Sequence, residues 1–351
     1  MNRMIDIFSV LGHRLAAFGK TPDTVEVVRR AAVENPWFLP QEIIRAVKAI
    51  RCEMLERQRL EAWAGAYPPV RTPKRVLVVM AGNIPLVGFF DLLCVLASGH
   101  ACRVKPSSKD TVLIGYVVDL LRAIDPAIPL RMAEQGERPD AVIATGSDNA
   151  NRYFRMLFGG IPSLLRGSRQ SVAVLSGRET AAELGIPLRE GVYFYCYGPQ
   201  YETPAEVRVA RGLEEDIFAY SGLGCRNVSL LFLPRGYMPE LRCTALNEKY
   251  RRNYLRERAL LRMRRMPFVD LDGAVLCEDR SFPAALSRIH YTFYDSLADV
   301  EAWLAAHDDR LQCVVSQCVR HSRRVAFGRA QHPGLTDYAD DVDTMRFLGT
   351  I

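Results

Sequence analysis

Between positions 75 and 175, short runs of β-branched and apolar residues alternate with longer stretches of helical spacing, and this alternation leaves few folds open. Val76-Leu-Val-Val-Met80 reads as a buried strand, 81–85 as a loop, and 86–98 as a helix that Gly99 stops. Strands over 101–104, 141–144 and 171–175, with helices over 111–124 and 148–158, continue the series. Strands alternating with helices form a parallel sheet covered on both faces, so the expected class is α/β with a doubly wound, Rossmann-like sheet. Ligands of such sheets bind beyond the C-terminal ends of the strands.

Residues 1–67 read as helices with a turn at Asn35-Pro36-Trp37-Phe38, and the Pro-rich run 68–73 reads as a stiff linker. The expected organisation is a helical N-terminal cap over 1–70, a dinucleotide-binding domain over 71–212, and a catalytic domain with a C-terminal arm over 213–351. A chain of 351 residues, 49% hydrophobic and 25% charged, can bury a full core. Residues 1–20 lack the continuous apolar stretch of a secretion signal, and the longest apolar run, 84–97, is broken by Pro85, Gly88 and Asp91. The expectation is a cytoplasmic protein with no transmembrane segment. Nine cysteines contain no Cys-x-x-Cys pair, which suggests neither a zinc ribbon nor a disulfide framework, and no metal is expected. The net charge of +6 sits largely in arginines over 251–265 and 320–329. They read either as solvated helix faces or as a site for an acidic ligand; no aromatic residues interleave them in a nucleic-acid pattern, so DNA and RNA are set aside.

Three expected strand ends carry polar residues: Asn83 after the first, Lys105-Pro-Ser-Ser-Lys109 after the second, and Thr145-Gly-Ser-Asp148 after the third. Each has an ordinary reading. Asn83 suits a turn, Lys105 suits solvent, and Gly146-Ser147 suits the cap of the next helix. The alternative is a phosphate site, because a Gly-Ser turn at a helix N-terminus offers amide donors and a positive dipole end. Downstream, Gly222-Leu-Gly-Cys-Arg-Asn-Val-Ser229 places Cys225 between an amphipathic run and an apolar strand. Gly222 and Gly224, just ahead of it, let a substrate carbonyl approach, which is where a cysteine nucleophile is expected.

These stretches carry a resemblance. AGNIPLVGFFDLLCVLASGH (81–100), KPSSKD (105–110), DAVIATGSDNANRYF (140–154), SVAVLSGRET (171–180), DIFAYSGLGCRNVS (216–229) and FGRAQHPGLTDYADDVDTMRFL (327–348) resemble LuxC-like acyl-CoA reductases of the aldehyde dehydrogenase superfamily. The resemblance implies that Cys225 is the nucleophile and that the Asn83 amide, with the cysteine N–H, forms the oxyanion hole. It implies that Lys105 and Ser107 hold the adenosine ribose or its 2′-phosphate, that Gly146 and Ser147 form the pyrophosphate turn, and that Glu278-Asp279 orient the nicotinamide ribose. The implied activity is reduction of a long-chain acyl-CoA to the aldehyde with NADPH through a cysteine acyl-enzyme. Hydrolytic relatives carry a general-base glutamate just before the strand matching 171–175; 155–178 contains no acid, and Leu164-Leu165-Arg166 stands in that place. Relatives associate through a C-terminal strand extension, and 336–343 is expected near such an arm in a homo-oligomer.

The chain departs from the family in two places. Gly88-Phe-Phe-Asp91 replaces Gly-Phe-His-Asp, and 185–212 reads as an insertion. GVYFYCYGPQYETPAEVR within it is similar to the base-binding segment of trimeric purine nucleoside phosphorylases, where positions matching Tyr201 and Glu202 contact a purine. The segment is too short to bury a core of its own, and it is expected to be tolerated if its ends lie close together. Purine binding through 185–212 and an inactive dinucleotide-binding module are the alternatives to the reductase.

Overall fold

The computed structural model describes residues 2–185, 193–196, 205–208, 211–243 and 247–351. They form two compact units, one comprising Met1–Ser168 with His332–Ile351 and the other Arg169–Gln331. The division therefore falls at 168/169, not at the expected 212/213, and residues 1–70 are no separate cap.

In the first unit the helices α1 (Asn2–Arg14), α2 (Pro22–Glu34), α3 (Pro40–Met54) and α4 (Arg57–Gly65) precede the sheet. Prolines at the first turn of α2 and α3 occupy positions where a missing N–H costs nothing. Ile5, Phe8 and Leu11 recur at helical spacing on α1 and are buried in the same core as the sheet, which is why these helices belong to it.

The strands β1 (Arg75–Val79), β2 (Ala101–Lys105), β3 (Leu130–Met132), β4 (Ala141–Thr145) and β5 (Ser163–Arg166) are all parallel, in the order β3-β2-β1-β4-β5. Helices α5 (Phe89–Ser98), α6 (Thr111–Ile124) and α7 (Asp148–Phe158) connect them. Side chains alternate across β1 with period two. Val76 and Val78 join the core of α5 and α6, whereas Leu77 packs on the opposite face with Phe154 and Phe158 of α7. Both faces are thus covered, as a doubly wound sheet requires. β3 and β5 were not expected. Nor does α5 start at 86: Leu86 adopts φ +58° and its N–H is held by the Asp110 carboxylate at 2.8 Å, so the helix begins at Phe89.

The second unit contains β6 (Gln170–Val174), α8 (Ala181–Leu184), a backbone hairpin of β7 (Tyr193–Cys196) and β8 (Ala205–Arg208), α9 (Gly212–Phe218), β9 (Val228–Pro234) and α10 (Glu248–Met263). It continues with β10 (Val269–Asp270), β11 (Val275–Glu278), β12 (Arg288–Tyr294), α11 (Leu297–Ala306), β13 (Leu311–Ser316) and β14 (Arg324–Val325). The sheet order is β10-β11-β12-β9-β6-β13-β14, parallel except for β10 against β11. The run 171–175, expected in the first sheet, therefore lies in the second. Its core joins Val172 and Val174 to Leu230, Phe232, Val300, Leu304 and Val314.

The chain then returns to the first unit and ends on α12 (Thr344–Gly349), where Thr344, Met345 and Leu348 are buried. Trp63 donates to the Tyr338 hydroxyl at 2.8 Å, and Tyr67 donates to Asp343 at 3.0 Å. The Arg166 guanidinium pairs with Asp91 and donates to Thr344 at 2.7 Å. Tyr338 and Asp343, in the stretch expected near an oligomer arm, are thus tied to α4 of their own unit and to Tyr67 just beyond it. Among the described residues no helix is long and apolar enough to cross a membrane.

Candidate functional site

In the first unit β1 lies between β2 and β4, so the loops after these three strands are neighbours at one sheet edge. The chain winds outward through β2 and β3 on one side and through β4 and β5 on the other, which places the topological switch between β1 and β4. Asn83 is exposed in the loop after β1, and Lys105 is exposed at the last position of β2. A Cβ at Gly82 would stand 2.7 Å from the Ser107 side chain, so only glycine lets these two loops meet. Asn35 donates to the Gly82 carbonyl at 3.3 Å and fixes the first loop from beneath. Asp110 closes the second; burial pushes its carboxyl up to about 8, opposed by the Leu86 N–H that it accepts.

After β4, Gly146 donates to the Arg166 carbonyl, and a Cβ there would meet the Ala150 side chain at 2.9 Å. The backbone therefore passes close over the first turn of α7. Ser147 caps that helix by accepting from the Ala150 N–H at 3.3 Å. The hydroxyl thus performs the ordinary capping role, while the turn still presents a helix N-terminus at the switch point. Asn83, Lys105, Ser107, Gly146 and Ser147 are accordingly gathered at one edge, and the close approaches at Gly82 and Gly146 leave backbone where a side chain would otherwise stand. Such an edge fits a dinucleotide: a cation at Lys105, a small hydroxyl at Ser107 and a glycine turn at a helix N-terminus.

In the second unit Cys225 is exposed, whereas burial raises the thiols of Cys277 and Cys313, the latter to about 11. Inert buried thiols and an accessible one are thereby separated within this unit. The approach to Cys225 is conformationally costly: Tyr220, Ser221 and Gly222 adopt φ of 53°, 55° and 68° in succession. Such strain persists only where surrounding contacts over-determine it. Asn227 supplies several of them. Its oxygen accepts from the Gly224 N–H at 2.8 Å, and its amide donates to the carbonyls of Asp216, Ile217 and Ala219. One buried side chain thereby ties the cysteine turn to the end of α9.

Ser171 fixes the other side. Its hydroxyl donates to the Cys225 carbonyl at 2.8 Å and accepts from the Cys313 N–H at 3.2 Å. Registers on both flanks of β6 shift beside Ser171, against β9 and against β13. Bulges re-aim the chain at such points. Asp216, fully buried, accepts from the N–H groups of Gly328 and Ala330 at 2.7 and 2.9 Å, although burial pushes its carboxyl up to about 7. Asn227, Ser171 and Asp216 all lie in the motif-bearing stretches, yet sequence reasoning assigned them no role. The available signal was an Asn two positions after a cysteine in a glycine-rich turn.

Glu278 and Asp279 are not brought to the cysteine. Register sets Cys277 level with Leu230 and Glu278 level with Leu231, whereas Cys225 precedes the start of β9 at Val228. The acidic pair thus stands about 10 Å farther along the strand direction than the start of β9. The Asp279 carboxylate accepts from Ser281 N–H at 2.8 Å, which lowers its pKa and commits it to a local turn.

The insertion begins and ends at one point. A Cβ at Gly185 would lie 2.2 Å from the Arg211 carbonyl oxygen, and one at Gly212 would lie 2.2 Å from that of Glu183. Both glycines have positive φ. Tyr201 and Glu202, the positions matching a purine site, lie outside the described residues.

No family model matches the sequence, and no curated protein does. Solved structures do. A putative aldehyde dehydrogenase from Burkholderia cenocepacia is 13% identical, with 91% of this chain and 75% of that one covered at a TM-score of 0.58. The Mycobacterium tuberculosis aldehyde dehydrogenase complexed with NAD+ is also 13% identical, covering 91% and 73% at 0.59. An oxidoreductase from Marinobacter aquaeolei is 11% identical, covering 94% and 78% at 0.58. Together with the winding of the first sheet and the cysteine turn of the second unit, these likenesses establish that the chain has the aldehyde dehydrogenase fold.

Proposed function

We propose that this protein is an oxidoreductase at the aldehyde level, and more narrowly an NADPH-dependent acyl-CoA reductase. The observation that carries the reading is the exposed Cys225 thiol on a strained, glycine-bearing turn that Asn227 and Ser171 hold, in a chain of this fold. As a thiolate, Cys225 attacks the thioester carbon; the new S–C bond forms, the C–S bond to CoA breaks, and CoA leaves as its thiolate. The Asn83 amide and the Cys225 N–H are the donors assigned to the oxyanion of the tetrahedral intermediate. Lys105, Ser107 and the Gly146-Ser147 turn are assigned to the dinucleotide, the lysine supporting a 2′-phosphate and hence NADPH. Bound reduced nicotinamide would supply the hydride that converts the acyl-enzyme to aldehyde.

The absence of acid over 155–178 supports reduction over hydrolysis. The next acid, Glu179, accepts from the Ser176 and Gly177 N–H groups at the far end of β6 from Ser171, so its carboxylate is committed to a turn. Without a glutamate in that stretch to activate water, the acyl group survives for hydride transfer. Glu278 and Asp279 are left without a role in this scheme because of their position along the sheet.

The test is incubation with a long-chain acyl-CoA and NADPH, following loss of reduced nicotinamide and formation of aldehyde. Turnover that Cys225→Ala abolishes and Asn83→Ala lowers about a hundredfold or more is the expected result. Turnover that is unchanged in Cys225→Ala would refute the scheme, and phosphate-dependent release of base from inosine would replace it with the purine reading.

A further inference from the structure

Helix α10 concentrates the charge of the molecule. Between 248 and 266 there are eight basic and two acidic residues, a surplus of six that equals the net charge of the whole chain, +6. One face of the helix, formed by Tyr250, Tyr254, Glu257 and Leu261, is buried. At 3.6 residues per turn, the opposite face presents Leu255, Ala259 and Met263 in line, one turn apart. Arg251 heads this row, Arg262 flanks it on one side and Arg252 and Arg256 on the other, and all four arginines are exposed. Met263 is 81% exposed and Leu255 42%. The chain leaves the helix through Arg264-Arg265-Met266, all exposed, and reaches Val269, also exposed.

Internal ion pairing accounts for little of this charge. Arg252 pairs with Glu248, Arg258 with Asp270, and Glu257 is turned inward to Arg288. Among the described residues no carboxylate pairs with Arg251, Arg256, Arg262, Arg264 or Arg265. A face meant only for solvent has no use for Leu255 and Met263 set exposed among its charges, and one meant for a nucleic-acid backbone would not need them. An apolar row between arginine rows matches a lipid surface: the aliphatic side chains enter the acyl boundary while guanidinium groups remain level with the phosphates.

We propose that the outer face of α10, with the turn over 264–266, docks on an anionic lipid bilayer, lying in the interface and not spanning it. This inference does not depend on the reaction proposed for Cys225. The arginines supply attraction to acidic headgroups, and Leu255, Met263 and Met266 supply the lipid-specific part.

The experiment is co-sedimentation of the full chain with vesicles of phosphatidylcholine alone or with about 30 mol% phosphatidylserine. The expected result is pelleting with the anionic vesicles only, weakened at high salt. Arg251→Gln and Arg262→Gln should each lower partitioning about fivefold. Leu255→Ser/Met263→Ser should weaken vesicle binding while leaving retention on heparin unchanged; Met263→Ser alone, at the most exposed position, repeats the measurement without risk to the fold. Absence of phosphatidylserine-dependent pelleting at low salt overturns the proposal. So does vesicle binding that is indifferent to Leu255→Ser/Met263→Ser, which would identify the face as a polyanion or acidic-protein site.

Discussion

The Arg166–Asp91 pair invites a test because it is almost wholly withdrawn from water. Their side chains retain 6% and 4% of their accessible surface, and the pair joins the end of β5 to the first turn of α5, with Thr344 of α12 as a third partner. Asp91→Ala strands a guanidinium whose Nε already has no hydrogen-bond partner. Removing one member of a buried pair costs about 3–5 kcal/mol, mostly the penalty of the charge left behind. Arg166→Met should cost a similar amount, because it leaves the Asp91 carboxylate buried without its cation and Thr344 without its donor. The double variant Asp91→Leu/Arg166→Met removes both charges and should cost well under half the sum of the singles. Urea unfolding followed by circular dichroism measures all four corners of the cycle, and the single variants should melt roughly 6–20 °C lower. Additive single costs, or an Asp91→Ala variant within about 1 kcal/mol of the parent, would show that the pair is not the joint described here.

Asp110 is held protonated up to about pH 8 in the folded chain, whereas in the unfolded chain it ionises near its ordinary value of 3.8. The unfolded state therefore binds fewer protons between these values, and the Asp110 contribution to stability falls as pH rises from about 4 to 8. Asp110→Asn keeps an acceptor for the Leu86 N–H and should flatten that slope in melting temperatures measured across this range. The closure at Gly185 and Gly212 leads to a third expectation. A chain lacking 186–210, joined directly from Gly185 to Arg211, should fold with a circular dichroism spectrum and cooperative melting like the parent, whereas Gly212→Val, which drives a side chain into the Glu183 carbonyl, should lose several kcal/mol. Failure of the deletion to fold would show that the segment contributes to the second unit's core.

Long periodic segments are legible to the residue: α6 over 111–124 and α7 over 148–158 have the bounds that their apolar spacing implies, with the Ser147 cap opening the second. The short strands are not. Leu130–Met132 and Ser163–Arg166 each follow a proline and have three or four residues, too few to display a period. The run 171–175 is legible as a buried strand but its sheet is not, because an apolar run records burial and not the identity of its neighbours. Glu214 and Asp216 defeat charge-based reasoning outright: both are fully buried on α9, where they accept N–H groups from Arg242, Gly328 and Ala330. Cys225 is conspicuous because Gly222 and Gly224 lead into it. Ser171 is not, because nothing local distinguishes a serine at a bulge from any polar residue opening a strand.

The position of the final twenty residues bears on how the molecule is made. Leu335, Met345 and Leu348 fill the first unit's core, and Thr344 receives Arg166 there, yet the 163 residues of the second unit are synthesised before any of them. The second unit is continuous in sequence and is available to fold on the ribosome while the first still lacks its last helix. During synthesis the first unit must wait, with Asp91 and Arg166 in place but the surface that receives α12 uncovered. A truncation at the C-terminus should accordingly act on the N-terminal sheet, and a chaperone that shields nascent chains should find its site on α4 and α5.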